Sequence, residues 1–193
     1  MASLQDIFIS RVRVKLIQAF LSEPQEIFYV RQLVRITGEE INAVRRELVR
    51  MEERGLVAKE KRGNRLYYGF KKDYPYYHEL IRLATKTTGL GKAIIKNKNK
   101  LGKIKYAFIS GRLMCRRPHR EEDVDLVLVG DVVIPQVAAL VSRFENELGR
   151  EINYSAMTKD EFEFRKKRRD PFLLKVLTGS RVVLVGDEEG MVE

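Results

Sequence analysis

Apolar positions recur at three- and four-residue steps through the early part of the chain, then change to the alternation of extended strands. Ile7, Val14, Ile17 and Leu21 predict one helix from Leu4 to Leu21, with Arg11, Arg13 and Lys15 between its core positions; Ser22-Glu23-Pro24 stops it. A shorter helix is expected from Tyr29 to Ile36, turning Val30, Leu33 and Val34 inward, and Thr37-Gly38 supplies the turn that follows. The third helix starts near Glu40 and closes at Gly55. Its apolar stripe is Ile41, Val44, Leu48 and Met51, while Asn42, Arg45, Arg46 and Val49 share another face, with Arg50 and Arg54 nearby. Leu56 and Val57 open an extended run, Gly63-Asn64 turns it, and Arg65 to Tyr68 return, which is the pattern of a β-hairpin with Lys61, Arg62 and Arg65 at its tip.

Beyond the hairpin, Leu80, Ile81 and Ala84 continue a helical face, Gly89 and Gly91 interrupt it, and a second helix passes through Ile94 and Ile95 into Lys96 to Lys100. Lys105 to Ser110 reads as a buried strand, and Gly111 to Glu122 as a polar loop. A second strand, Asp123 to Val129, begins with two acids that alternation places on one face. A helix from Pro135 to Leu148, a strand from Glu151 to Met157, a capping box at Thr158 to Glu161, a short helix at Phe172 to Leu177 and a strand at Arg181 to Val185 complete the pattern. The expectation is an α+β chain in three parts: residues 1–73, a helical linker over 74–104, and an α/β domain with a mixed sheet over 105–193.

The chain has 193 residues, 44% hydrophobic and 33% charged, a balance that fits neither a disordered chain nor a membrane protein. No apolar run approaches the roughly 20 residues of a membrane span, the N-terminus shows no signal-peptide pattern, and the single cysteine, Cys115, can make no internal disulfide; these point to the cytoplasm. Net charge is +10 and unevenly spread. Residues 1–104 hold 22 Lys/Arg against 11 Asp/Glu, and residues 105–193 hold 15 against 16. Such asymmetry suits a polyanionic partner for the first part, or a highly charged surface of the thermophile kind. Cys115, His78 and His119 are too few and too scattered for a metal-sensing cluster.

Two helices joined by a glycine turn, the second carrying Asn and Arg outward, followed by a basic hairpin, form a specific combination. The stretch Phe28 to Tyr68 resembles the winged helix-turn-helix, three helices plus a β-hairpin, of ArsR- and MarR-type bacterial and archaeal regulators. That resemblance implies double-stranded DNA as partner, Asn42, Arg45, Arg46 and Val49 facing bases, and Arg50, Lys61, Arg62 and Arg65 contacting the phosphate backbone. It also implies a homodimer on two half-sites. The competing reading keeps the helix arginines as a solvated face paired with Glu47, Glu52 and Glu53.

From residue 88 to 186 the order strand, glycine loop, Asp-x-Asp strand, helix, strand, helices resembles the small nucleotidyltransferase domains of the polymerase-β superfamily. The resemblance implies nucleotide phosphates at Ser110, Gly111 and Arg112, Mg²⁺ at Asp123 and Asp125, and a nucleoside triphosphate substrate. Two departures stand out. Arg112 follows the glycine where the family has serine, and Asn153 stands where a third acid belongs, with Glu151 as the nearest substitute. They weigh against turnover and favour a regulator whose second domain senses a ligand or mediates oligomerisation. The alternative is a Mg²⁺-dependent nucleotidyltransferase acting on a protein, RNA or small molecule, as in toxin–antitoxin modules. Arg165 to Arg169 suit a helix C-terminus, and Cys115 and His119 lie among Arg112, Arg116, Arg117 and Arg120, which suit a bound phosphate better than a Cys–His nucleophile.

Overall fold

The extended backbone at Ser10 and its side chain, which accepts the Arg13 amide, cap the first helix, α1 (Arg11–Ser22). The helix therefore begins at Arg11 and does not run unbroken from Leu4. The computed structural model describes residues 9–118 and 123–192, so Leu4, Ile7, His119, Arg120 and Glu122 lie outside the described residues. The chain is α+β with a mixed sheet and divides into two units, Met1–Thr87 and Thr88–Glu193.

In the first unit α1 is followed by β1 (Phe28–Tyr29), α2 (Val30–Thr37), α3 (Ile41–Glu53), β2 (Val57–Arg62), β3 (Arg65–Phe70) and α4 (Tyr77–Thr87). Gly38 ends α2 with φ of 66°, a left-handed conformation that leaves its amide to donate to the Val34 carbonyl. Leu16, Leu33, Val44, Leu48 and Met51 are fully buried at the meeting of α1, α2 and α3. Each such side chain contributes about 1.5–3 kcal/mol by leaving water. Val30 and Val34 are only half-buried, because Leu33 and Thr37 take the inward side of this short helix. β1 was not expected; it pairs antiparallel with β3, Phe28 opposite Tyr68 and Tyr29 opposite Tyr67, giving the order β1-β3-β2. The 74–104 stretch is shared: α4 packs on α1, where Gln18 reaches the Thr87 hydroxyl at 3.3 Å, and the next helix belongs to the second unit.

The second unit comprises α5 (Gly89–Asn97), β4 (Gly102–Ser110), α6 (Gly111–Met114), β5 (Leu126–Val132), α7 (Ile134–Leu148), β6 (Tyr154–Met157), α8 (Lys159–Lys167), α9 (Pro171–Thr178), β7 (Arg181–Val185) and α10 (Glu188–Val192). The sheet order is β6-β5-β4-β7, with β4 antiparallel to both neighbours and β6 parallel to β5. Alternation sorts the strands between two cores. Ala107, Ile109, Leu126 and Leu128 pack with residues of α5 and α7, while Phe108, Val127 and Val129 pack with residues of α8 and α9.

Around the acid pair and the glycine loop, three boundaries differ from the pattern-based expectation, and β4 begins at Gly102, ahead of the expected Lys105. β5 starts at Leu126, so Asp123 and Asp125 precede the strand instead of opening it. β6 starts at Tyr154, leaving Glu151 and Asn153 in the connection before it. The glycine loop opens with a turn of helix, α6, capped by Ser110. Thr158 caps α8 through the Glu161 amide as expected, but the Glu161 carboxylate pairs with Arg165. Among the described residues no helix is long and apolar enough to cross a membrane.

Candidate nucleic-acid interface and acid pair

α3 separates its two faces sharply. Val44, Leu48 and Met51 are sealed on the inner side, and Asn42, Arg45, Arg46 and Val49 are exposed on the outer one, Val49 by 47%. Its start is fixed by Glu40, whose carboxylate accepts the amides of Asn42 at 2.8 Å and Ala43 at 2.9 Å. Those two bonds hold the Glu40 carboxyl below its ordinary range. In the same turn Glu39 accepts from Lys15 at 2.6 Å and Arg11 at 2.9 Å, and these donors, Lys15 first, lower its pKa as well. The turn between α2 and α3 is thereby fastened to α1, which also reaches it through Lys15 to the Thr37 carbonyl, 2.8 Å away.

Glu47 and Glu52 of α3 turn away from its outer stripe, while the capping Glu40 is attracted by the charges of Arg46 and Arg45. Glu47 is 3% exposed and pairs with Arg13 of α1, with Arg50 at 3.6 Å beside it. Glu52 turns to Lys59 of β2 at 2.8 Å. Arg45 and Arg46 enter no ion pair among the described residues. Arg50 differs from them: with Arg13, Arg54, Tyr74 and Tyr76 it lines a cleft of about 700 Å³ on the flank of the helix.

The hairpin register divides its basic tip. Arg62 faces Arg65 across the strands, and Lys61 faces Leu66, so side-chain alternation puts Lys61 on the opposite face from the two arginines. On the arginine face Arg65 lies 5.1 Å from the Tyr29 ring and Arg62 lies 5.7 Å from that of Tyr67. The two rings meet edge to face at 5.9 Å. Arg62 is also held by Glu60, at 2.8 and 3.1 Å, and this pairing holds the Glu60 carboxyl below its ordinary value. Tyr29 belongs to this surface only because β1 pairs with β3, which the local pattern did not signal.

In the second unit the two acids are brought together with two arginines. Asp125 is 1% exposed, and its Oδ2 accepts from Arg150 at 2.6 Å and from the Asn153 amide at 3.4 Å. Ser110 Oγ stands 3.5 Å from the other oxygen. Arg112 Nε lies 2.7 Å from Asp123 Oδ2, a charge contact in which the N–H is not aligned on the oxygen. Asn153 Nδ2 donates to the Asp123 carbonyl at 3.2 Å.

The residues assigned to nucleotide phosphates are engaged internally. Ser110 Oγ accepts from the Leu113 amide, the Gly111 amide donates to the Ser180 carbonyl at 2.6 Å, and Arg112 also donates to the Pro118 carbonyl at 2.8 Å. Gly111 is a glycine for a packing reason, since a Cβ there would stand 2.5 Å from Ser180 Oγ. Glu151 is exposed; its carbonyl accepts from Arg150, and no hydrogen bond among the described residues ties its carboxylate to either acid. Cys115 is half-buried behind α6, and its proposed companion His119 lies outside the described residues.

A Mg²⁺ ion with a nucleotide would need open carboxylate oxygens near 2.0–2.1 Å. Here each acid already faces a guanidinium, the buried one at 2.6 Å, and the third position is a neutral amide that donates. As arranged, the residues do not fit that ion. Among the described residues no group of three His, Cys, Asp or Glu side chains is placed to hold a metal. No known protein family, no curated protein and no solved structure matches the chain.

Proposed function

We propose that the chain is a DNA-binding transcriptional regulator whose first unit is a winged helix-turn-helix, with α3 as the recognition helix and the β2–β3 hairpin as the wing. The observation that carries this reading is the exposed outer stripe of α3, Asn42, Arg45, Arg46 and Val49, whose two arginines enter no ion pair among the described residues, over a back face in which Val44, Leu48 and Met51 are sealed and Ile41 is half-buried. Arginine grips guanine O6 and N7 with two hydrogen bonds, asparagine does the same for adenine N6 and N7, and valine suits a thymine methyl. Lys61, Arg62 and Arg65 extend the positive surface toward backbone phosphates. A homodimer reads two half-sites, and the second unit serves ligand sensing or oligomerisation.

The reading is tested by fluorescence anisotropy with labelled duplexes drawn from a randomised pool, at stepped salt. The expected outcome is an affinity whose logarithm falls linearly with the logarithm of salt concentration, with a slope of about 0.9 per phosphate neutralised. Enrichment of one sequence is expected on repeated selection, and its loss in the Arg45→Ala/Arg46→Ala variant. Absence of salt-dependent binding to every duplex ends the proposal. Nucleotidyl transfer finds no support in the acid pair, because its carboxylates are closed by Arg112 and Arg150.

A further inference from the structure

A carboxylate 1% exposed cannot stand alone, because an unpaired charge in that setting is strongly disfavoured. The partner of Asp125 is Arg150, itself only 17% exposed and fixed at two further points, to the Arg117 carbonyl at 3.1 Å and to the Glu151 carbonyl at 3.2 Å. Arg112 makes the corresponding bridge from Asp123 to the Pro118 carbonyl. Each guanidinium thus joins one acid to the segment that follows α6. A planar fork of donors suits this double duty, whereas a divalent ion would draw in only oxygen ligands.

We infer that Arg112 and Arg150 are the resident counter-ions of the second unit: they hold the acid pair closed without metal, and a divalent cation gains access only when both guanidinium groups are removed. The inference stands apart from the DNA reading. It makes the unit indifferent to chelators and gives the two arginines the positions that the family pattern assigns to an ion.

The test uses the full chain, with Mn²⁺ as probe, followed by calorimetry and by thermal melting with and without EDTA. The wild-type protein is expected to show no saturable Mn²⁺ binding at millimolar concentration and the same melting temperature in EDTA. Arg112→Ala/Arg150→Ala is expected to melt lower and to recover part of the loss in Mn²⁺, a recovery that adding Asp125→Asn abolishes. Saturable Mn²⁺ binding by the wild type that Asp123→Asn/Asp125→Asn removes overturns the inference, as does a folded double variant that ignores Mn²⁺. Should the double variant not fold, the wild-type titration is joined by Arg112→Ala, at the more exposed of the two sites, which is expected to stay silent to Mn²⁺ because Arg150 still closes Asp125; saturable Mn²⁺ binding by that single variant overturns the inference.

Discussion

Arg13 of α1 closes on Glu47, a carboxylate 3% exposed in the middle of the helix whose outer face is open to solvent. Arg50 approaches the same carboxylate from one turn further along, and Ser10 Oγ stands 3.4 Å from it. The orientation of α3 therefore depends on a buried charge as well as on its apolar stripe. Removing one partner of such a pair strands the other, at a cost of about 3–5 kcal/mol, whereas replacing both by apolar groups of similar size is close to neutral. Because Arg13 is itself 36% exposed and Arg50 and Ser10 stay beside Glu47, Arg13→Ala is expected to destabilise the protein to urea by less than that, about 1–3 kcal/mol. The Arg13→Met/Glu47→Leu double variant is expected to recover most of it, and equal losses in both variants would show the charge pair to be incidental.

If the chain binds DNA as proposed, base reading and phosphate contact separate experimentally. Arg45→Ala or Arg46→Ala is expected to narrow the gap between a selected site and unrelated duplex by about 1–3 kcal/mol. Lys61→Ala is expected to weaken binding to every sequence alike and to reduce the salt slope by about one. Competition titrations at two salt concentrations distinguish these outcomes. A uniform loss in the arginine variants would reassign them to the backbone.

Gly111 offers a test of what the glycine after β4 is for. Its amide donates to the Ser180 carbonyl at 2.6 Å, and a Cβ would come within 2.7 Å of Ser180 Cβ. Gly111→Ala is expected to cost about 1–3 kcal/mol through overpacking, partly restored by Ser180→Gly. If the glycine only made room for a ligand, the alanine variant would be as stable as the parent in chemical denaturation.

Acid should loosen the turn ahead of α3. Glu39 and Glu40 both have folded pKa values below the ordinary 4.5, through Lys15 and Arg11 for the first and the Asn42 and Ala43 amides for the second. A depressed folded pKa means that the unfolded chain takes up the proton first as pH falls. The stabilisation is complete above the unfolded value and is lost progressively below 4.5, as pH passes through the folded values. Melting temperature is expected to hold level down to that region and then decline, with a shallower decline in Glu39→Gln/Glu40→Gln. An unchanged slope in that variant would assign the acid sensitivity to other groups.

The helices were legible where one period ran uninterrupted. Val44, Leu48 and Met51 announced the inner face of α3, and Gly63-Asn64 announced the hairpin turn, because both signals are local. Long-range partners were not. Glu47 looked like a surface acid because its counter-charge, Arg13, is 34 residues away. Asp125 looked like a free ligand because Arg150 is 25 residues away, just past the glycine that ends α7. A run of basic residues at a hairpin tip gives no sign of which strand face each one takes, so the division of Lys61 from Arg62 and Arg65 became visible only with the register.

Tyr29 is the last residue paired with β3 and also the cap from which α2 springs. Its ring lies against Tyr67 and under Arg65, so one residue carries contacts of the hairpin and the start of α2. The hairpin and the helix pair therefore meet at this side chain. A substitution at Tyr29 would remove the ring that these contacts share.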